Sequence, residues 1–191
     1  MSRRFPVTAV ATAIVAGWLI AGPGKPAAAD QQDARLDGLF ERLQEARDPA
    51  EAQVVEQQIW QLWLESKDAA IDRLMQQGVV AMREQHSGTA LRVFDRMIAQ
   101  APGFAEAWNK RATVHYLMGD WTASVVDIQR TLALEPRHFG ALFGLGLIYD
   151  ALEQPQAALR SFEATLDLNP HSESTRLKIE ELRRQLQGRP T

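Results

Sequence analysis

Ala107-Trp108-Asn109-Lys110-Arg111-Ala112, with Leu132-Ala133-Leu134-Glu135-Pro136 further on, brackets the stretch that decides the fold. Counting outward from Pro136, prolines recur 34 residues to either side, at Pro102 and Pro170. On that register the segments 71–104, 105–138 and 139–172 align. Their fourth position holds Leu74, Trp108 and Leu142, and the eighth holds Gly78, Ala112 and Gly146. The twentieth holds Ala90, Ser124 and Ala158, and the twenty-fourth Phe94, Ile128 and Phe162. Two antiparallel helices approach closely only where side chains are small, which explains positions 8 and 20. Large apolar residues at 4 and 24 fill the space beside that approach. A proline at position 32 cannot continue a helix and biases its predecessor away from helical geometry, so it ends the second helix and redirects the chain. The period therefore predicts an all-α solenoid of helical hairpins.

The turns within segments carry their own signals. Gly119-Asp120 reads as a helix stop followed by an N-cap, and Pro155 as a first helical residue. Together these residues resemble the tetratricopeptide-repeat (TPR) family, whose pattern has Trp or Leu at 4, Leu at 7, Gly at 8, Tyr at 11, Ala at 20, an aromatic at 24, Ala at 27 and Pro at 32. This chain departs from it at position 7 (Gln77 and Arg111), at position 11 (Ala81 and His115) and at position 27 (Met97, Thr131 and Thr165).

The resemblance implies a concave groove lined by the first helix of each repeat, through positions 2, 5, 9, 12 and 13. Carried over, these are Asp72, Met75, Val79, Met82 and Arg83, then Glu106, Asn109, Thr113, Tyr116 and Leu117, then Gly140, Phe143, Leu147, Asp150 and Ala151. Met75, Met82, Tyr116 and Phe143 would form an adaptable apolar floor, with Arg83 and Asn109 able to orient a peptide. The Lys, Asn and Arg clamp by which some family members grip chaperone tails is replaced at positions 5 and 9 of the first repeat by Met75 and Val79. The implied ligand is thus a mainly apolar peptide or protein segment.

Two flanks remain. Residues 173–187 place Leu177, Ile179, Leu182 and Leu186 along one stripe and predict a capping helix over the last repeat. Upstream, 36–46 and 50–66 read as two helices around Asp48-Pro49, with Asp48 as N-cap and Glu51 closing a capping box. This N-terminal hairpin (30–70) is either a degenerate repeat or an unrelated cap. Trp60 and Trp63, three residues apart, are expected to fill its junction with the first repeat, in preference to anchoring a partner.

The first 29 residues differ in kind. Arg3 and Arg4 precede an apolar run from Val7 to Gly22 and then Ala27-Ala28-Ala29, the layout of a secretory signal peptide cut after Ala29. The expected location is the bacterial periplasm; the alternative is a retained inner-membrane anchor. Losing Arg3, Arg4 and Lys25 leaves 18 basic against 24 acidic residues, a net charge of −6, which argues against nucleic acid or an anionic membrane as partner. Without cysteine there is no thiol chemistry and no Cys-based metal site. His86, His115, His138 and His171 lack metal-ligand spacing and read as turn or packing residues. Gly144-Leu145-Gly146 lacks the Lys-Ser/Thr of a phosphate loop, and Ser124 has no neighbouring histidine to activate it. The expectation is a non-enzymatic scaffold without cofactor or metal, binding a protein or peptide. The alternative is a self-associating protein whose end helix docks in a neighbour's groove.

Overall fold

The computed structural model describes residues 33–187, so the leader and its expected cleavage after Ala29 lie outside the described residues. Nine helices and no strand occur among them: α1 (Arg35–Glu45), α2 (Pro49–Leu64), α3 (Ala69–Arg83), α4 (Ser87–Gln100), α5 (Ala105–Leu117), α6 (Trp121–Leu134), α7 (Phe139–Ala151), α8 (Pro155–Leu168) and α9 (Glu173–Gln187). None of them is long and apolar enough to cross a membrane. The pairs α3–α4, α5–α6 and α7–α8 are antiparallel hairpins stacked in sequence order.

The small-residue rule has a direct physical cause. A Cβ added to Gly78 would lie 2.5 Å from the Phe94 ring, and one added to Gly146 would lie 2.5 Å from the Phe162 ring. Positions 8 and 24 thus touch within each hairpin, and Phe94 and Phe162 are fully buried. In the middle repeat Ala112 meets the shorter Ile128, and Ser124 Oγ donates to the Ala112 carbonyl at 2.8 Å. The threonines at position 27 satisfy their buried hydroxyls one turn back: Thr131 donates to the Asp127 carbonyl and Thr165 to that of Ser161, each at 2.9 Å.

Each mid-repeat turn ends its first helix through a left-handed residue, at Gln85, Gly119 and Glu153, again 34 apart. The following amides, of His86, Asp120 and Gln154, close six-residue turns onto the carbonyls of Ala81, His115 and Tyr149 at 2.8–2.9 Å. Only the middle repeat uses glycine, the residue that adopts this conformation without a Cβ penalty.

Arg111 stands where the family pattern has leucine. It reaches Asp127 of α6 through two hydrogen bonds (2.8 and 2.7 Å) and Asp95 of α4 at 2.7 Å, and it lies over the Trp108 ring. This arginine therefore joins the first two repeats electrostatically, across the same space a leucine would fill with carbon.

The capping helix forms, but its buried stripe differs from the sequence expectation. Thr175, Ile179 and Leu182 face α8, whereas Leu177 is 55% exposed. Residues 177 and 179 are about 200° apart around a helix and cannot share a face. Arg183 pairs with Glu163 and Lys178 with Asp150, which fixes α9 to the last hairpin.

The N-terminal hairpin is locally as expected: Asp48 accepts hydrogen bonds from the amides of Ala50 and Glu51. Glu51 reaches back to the Arg47 amide, one residue before the cap. Its docking is different. The core of the first repeat contains no residue of α1 or α2. The hairpin folds over the array and packs on the second and third repeats. Trp63 is fully buried, stacked on His138 at 4.1 Å and against Phe139 at 4.9 Å. The tryptophans are core residues, but the junction they fill is with α7 and not with the first repeat.

Candidate peptide-binding groove

The groove positions divide into three groups. Asn109, Thr113, Tyr116, Leu117, Phe143 and Leu147 come together around one cavity of about 270 Å³ between α5, α6 and α7, whose back wall includes Ala112, Ile128 and Gly144. Leu117, at its rim, is 64% exposed. Met82 and Arg83, with Leu117 again, line a neighbouring recess of about 490 Å³. Val79 is half-buried against the first-repeat core.

Two expectations are corrected. Met75 is 6% exposed and belongs to the core cluster shared by α3, α4 and the start of α5, so it offers nothing to a ligand. Asp150 is paired with Lys178 of the capping helix, at 3.5 Å, and does not line the cavity.

The third group is covered by the chain itself. Position 2 of the third repeat is Gly140, and a Cβ there would lie 2.5 Å from the Trp60 indole. Glycine is needed because α2 lays a tryptophan directly on the backbone of α7. Position 2 of the second repeat, Glu106, is fully buried. Its carboxylate accepts from His138 Nε2 at 2.9 Å and Asn109 Nδ2 at 3.0 Å, and Lys110 Nζ lies 2.7 Å away. His138 also caps α7: its Nδ1 accepts from the Ala141 amide, so the Nε2 nitrogen carries the proton given to Glu106. Lys110 in turn sits 5.6 Å from the centre of the Trp60 ring. The sequence reading took His138 for a turn or packing residue at the start of a helix, as the structure has it, but did not show its link to Glu106. Its local signal was slight, two polar residues 32 apart at helix starts.

Burial by itself would raise the Glu106 pKa, but the Lys110 ammonium and His138 outweigh it and hold the carboxyl at about 2. The same group titrates near ~4.3 when unfolded. Because the folded pKa is the lower one, the stabilisation is present above about pH 4.5 and is lost as pH falls toward about 2. Urea unfolding at pH 7, 4.5 and 3 should show the upper part of this acid limb, a loss of about 1–2 kcal/mol by pH 3. In Glu106→Gln the limb should be correspondingly shallower.

No group of three or more His, Asp or Glu side chains capable of holding a metal occurs among the described residues. The architecture is thus a helix-hairpin repeat array with an apolar concave pocket. Comparison with known proteins gives the family. A tetratricopeptide-repeat family model matches residues 112–173. A TPR repeat-containing protein of Rhizobium etli is 38% identical over 157 residues, 82% of this chain and 77% of that one. The chain belongs to the tetratricopeptide-repeat family. The yeast small glutamine-rich tetratricopeptide repeat-containing protein 2 is 25% identical over 155 residues, 81% of this chain and 44% of that protein. Among solved structures, the first TPR of Spaghetti bound to an HSP90 peptide superposes with a TM-score of 0.59 at 16% identity, covering 62% of this chain and 94% of that one. MamA superposes at 0.58 with 17% identity, covering 77% and 84%.

Proposed function

We propose that this protein is a non-enzymatic adaptor of the bacterial periplasm that holds an apolar peptide or protein segment between α5 and α7. The observation that carries the reading is the pocket walled by Tyr116, Phe143 and Leu147 and rimmed by exposed Leu117. Apolar surface of this kind is what a binding cleft requires. A similar fold solved with a bound peptide supports it. Lys110 is committed to Glu106 and Arg111 to Asp95 and Asp127, and the pocket lining itself carries no cation, which favours an apolar ligand; Arg83 stands in the adjoining recess. The leader supports export, and mass spectrometry of the fractionated envelope should find a mature chain beginning at Asp30.

The test of the groove is affinity purification of the full chain from its native envelope after cross-linking, with Tyr116→Ala/Phe143→Ala alongside. The double substitution should lower recovery of the specific partner at least tenfold, at unchanged helical content. Equal recovery would sink the groove reading.

A further inference from the structure

The N-terminal hairpin behaves as a bound ligand that happens to be tethered. Its two helices pack on each other through Leu36, Leu43, Val55 and Ile59, in a cluster that Phe139 of α7 completes. It shares no core with the adjacent repeat and is joined to it by four residues, Glu65–Asp68, within which Lys67 adopts a left-handed backbone. What holds it down is a matched surface. On the array, Phe139, Gly140 and His138 receive Trp60, Trp63 and Phe40. Around that apolar centre Arg137 binds Asp37 at 2.6 Å and Asn169 binds Glu56 at 2.9 Å. The Gln44 amide donates to the carbonyls of Asp167 (2.7 Å) and Leu168 (3.1 Å). Lys110 lies over Trp60. The cations of this contact are on the array and the carboxylates on the hairpin, while amides and aromatic rings stand on both sides. Gly140 belongs both to this seat and to the wall of the open pocket, so the two surfaces are continuous.

We propose that the hairpin's seat is itself a docking site, for an acidic amphipathic partner helix carrying large aromatic residues three apart, and that the hairpin occupies it in cis until displaced by hinging at Glu65–Asp68. The proposal rests on the concave face being a binding surface and extends it to the half now covered. A competitor for the seat must reproduce the hairpin's face: two aromatic rings on one side of a helix, with a carboxylate one turn before the first, as Glu56 stands to Trp60. The resident hairpin is tethered and so present at high effective concentration, and a competitor must bind the seat tightly enough to overcome that advantage.

The probe is a fluorescein-labelled peptide of residues 33–66, titrated into the full chain. The chain has no cysteine, so Asp37→Cys/Arg137→Cys creates a pair that a short bis-maleimide can bridge, locking the hairpin in place. The bridged protein should bind the peptide at least tenfold more weakly than the same variant left unbridged. Trp60→Ala/Trp63→Ala, which weakens the resident hairpin and spares the seat, should bind at least tenfold more tightly than the unsubstituted chain. If that variant loses its helical signal, the bridged and unbridged pair still decides. Equal binding by bridged and unbridged protein, or no binding by either, overturns the proposal. So does a stable dimer with exchanged hairpins in sedimentation, since the occupant would then be a second copy. Tyr116→Ala/Phe143→Ala alters only the open pocket and should leave peptide binding intact, so the two readings fail separately.

Discussion

Replacing Arg111 by methionine should destabilise the array by about 3–5 kcal/mol, the range expected when one partner of a buried ion pair is removed. Asp127 is the reason. Its side chain is 2% exposed and takes both of its strong hydrogen bonds from the Arg111 guanidinium. His115 Nε2 is 3.9 Å from it, too far to substitute. Methionine would fill most of the arginine's volume and still leave the buried Asp127 carboxylate without its partner. The companion experiment separates stranding from packing. Arg111→Met with Asp127→Leu removes both charges and should recover most of the loss, because a buried pair replaced by apolar residues of similar volume is often near neutral. Urea unfolding of the four proteins gives the cycle directly. If the double variant is as unstable as the single one, the ion pair is not what Asp127 needs.

The second large effect is steric. Gly146→Val would drive a branched side chain into Phe162, which is fully buried and has no room to yield. The expected cost is at least about 3 kcal/mol, the upper part of the range for overpacking. In a chain of this length that lowers the melting temperature by roughly 6–12 °C. Gly38 supplies the control. It too lies inside a helix, but nothing stands within 4 Å of an added Cβ. Gly38→Ala should therefore stabilise by about 1 kcal/mol through helix propensity alone. Calorimetry on the two variants would show opposite signs for the same residue type. A neutral Gly146→Val would mean that the hairpin contact is looser than described.

The sequence disclosed what is periodic and hid what is not. Positions 8 and 24 announce themselves because a small residue and a large apolar one meet in every hairpin, and repetition makes a spatial contact visible along the chain. Arg111 breaks that pattern, and its partners, Asp95 and Asp127, lie 16 residues to either side with no motif linking them. In the capping helix, Thr175 takes the buried place expected for Leu177. A threonine in a polar stretch gives no apolar signal. The groove was half legible for a similar reason. Family positions located Tyr116, Phe143 and Leu147 beside the pocket, but periodicity cannot report that Met75 sinks into the first-repeat core. Least legible was the seat of the hairpin. Trp60 and Trp63 read as core residues, yet their neighbours lie more than seventy residues downstream, at His138 and Phe139.

That fold-back also sets an order of assembly. In a repeat array each unit contacts only its neighbours, and structure spreads outward from wherever it begins. The hairpin breaks this locality: Asp37 meets Arg137, Glu56 meets Asn169 and Gln44 meets the Asp167 carbonyl, across separations of 100, 113 and 123 residues. Contacts that close such long loops form slowly, since the chain must give up the entropy of closure before any of them forms. Synthesis delivers α1 and α2 first, but their seat is complete only after residue 169 has been made. Among the described elements the hairpin is thus the first made and the last to dock, and until then Trp60 and Trp63 lack the cover of His138 and Phe139.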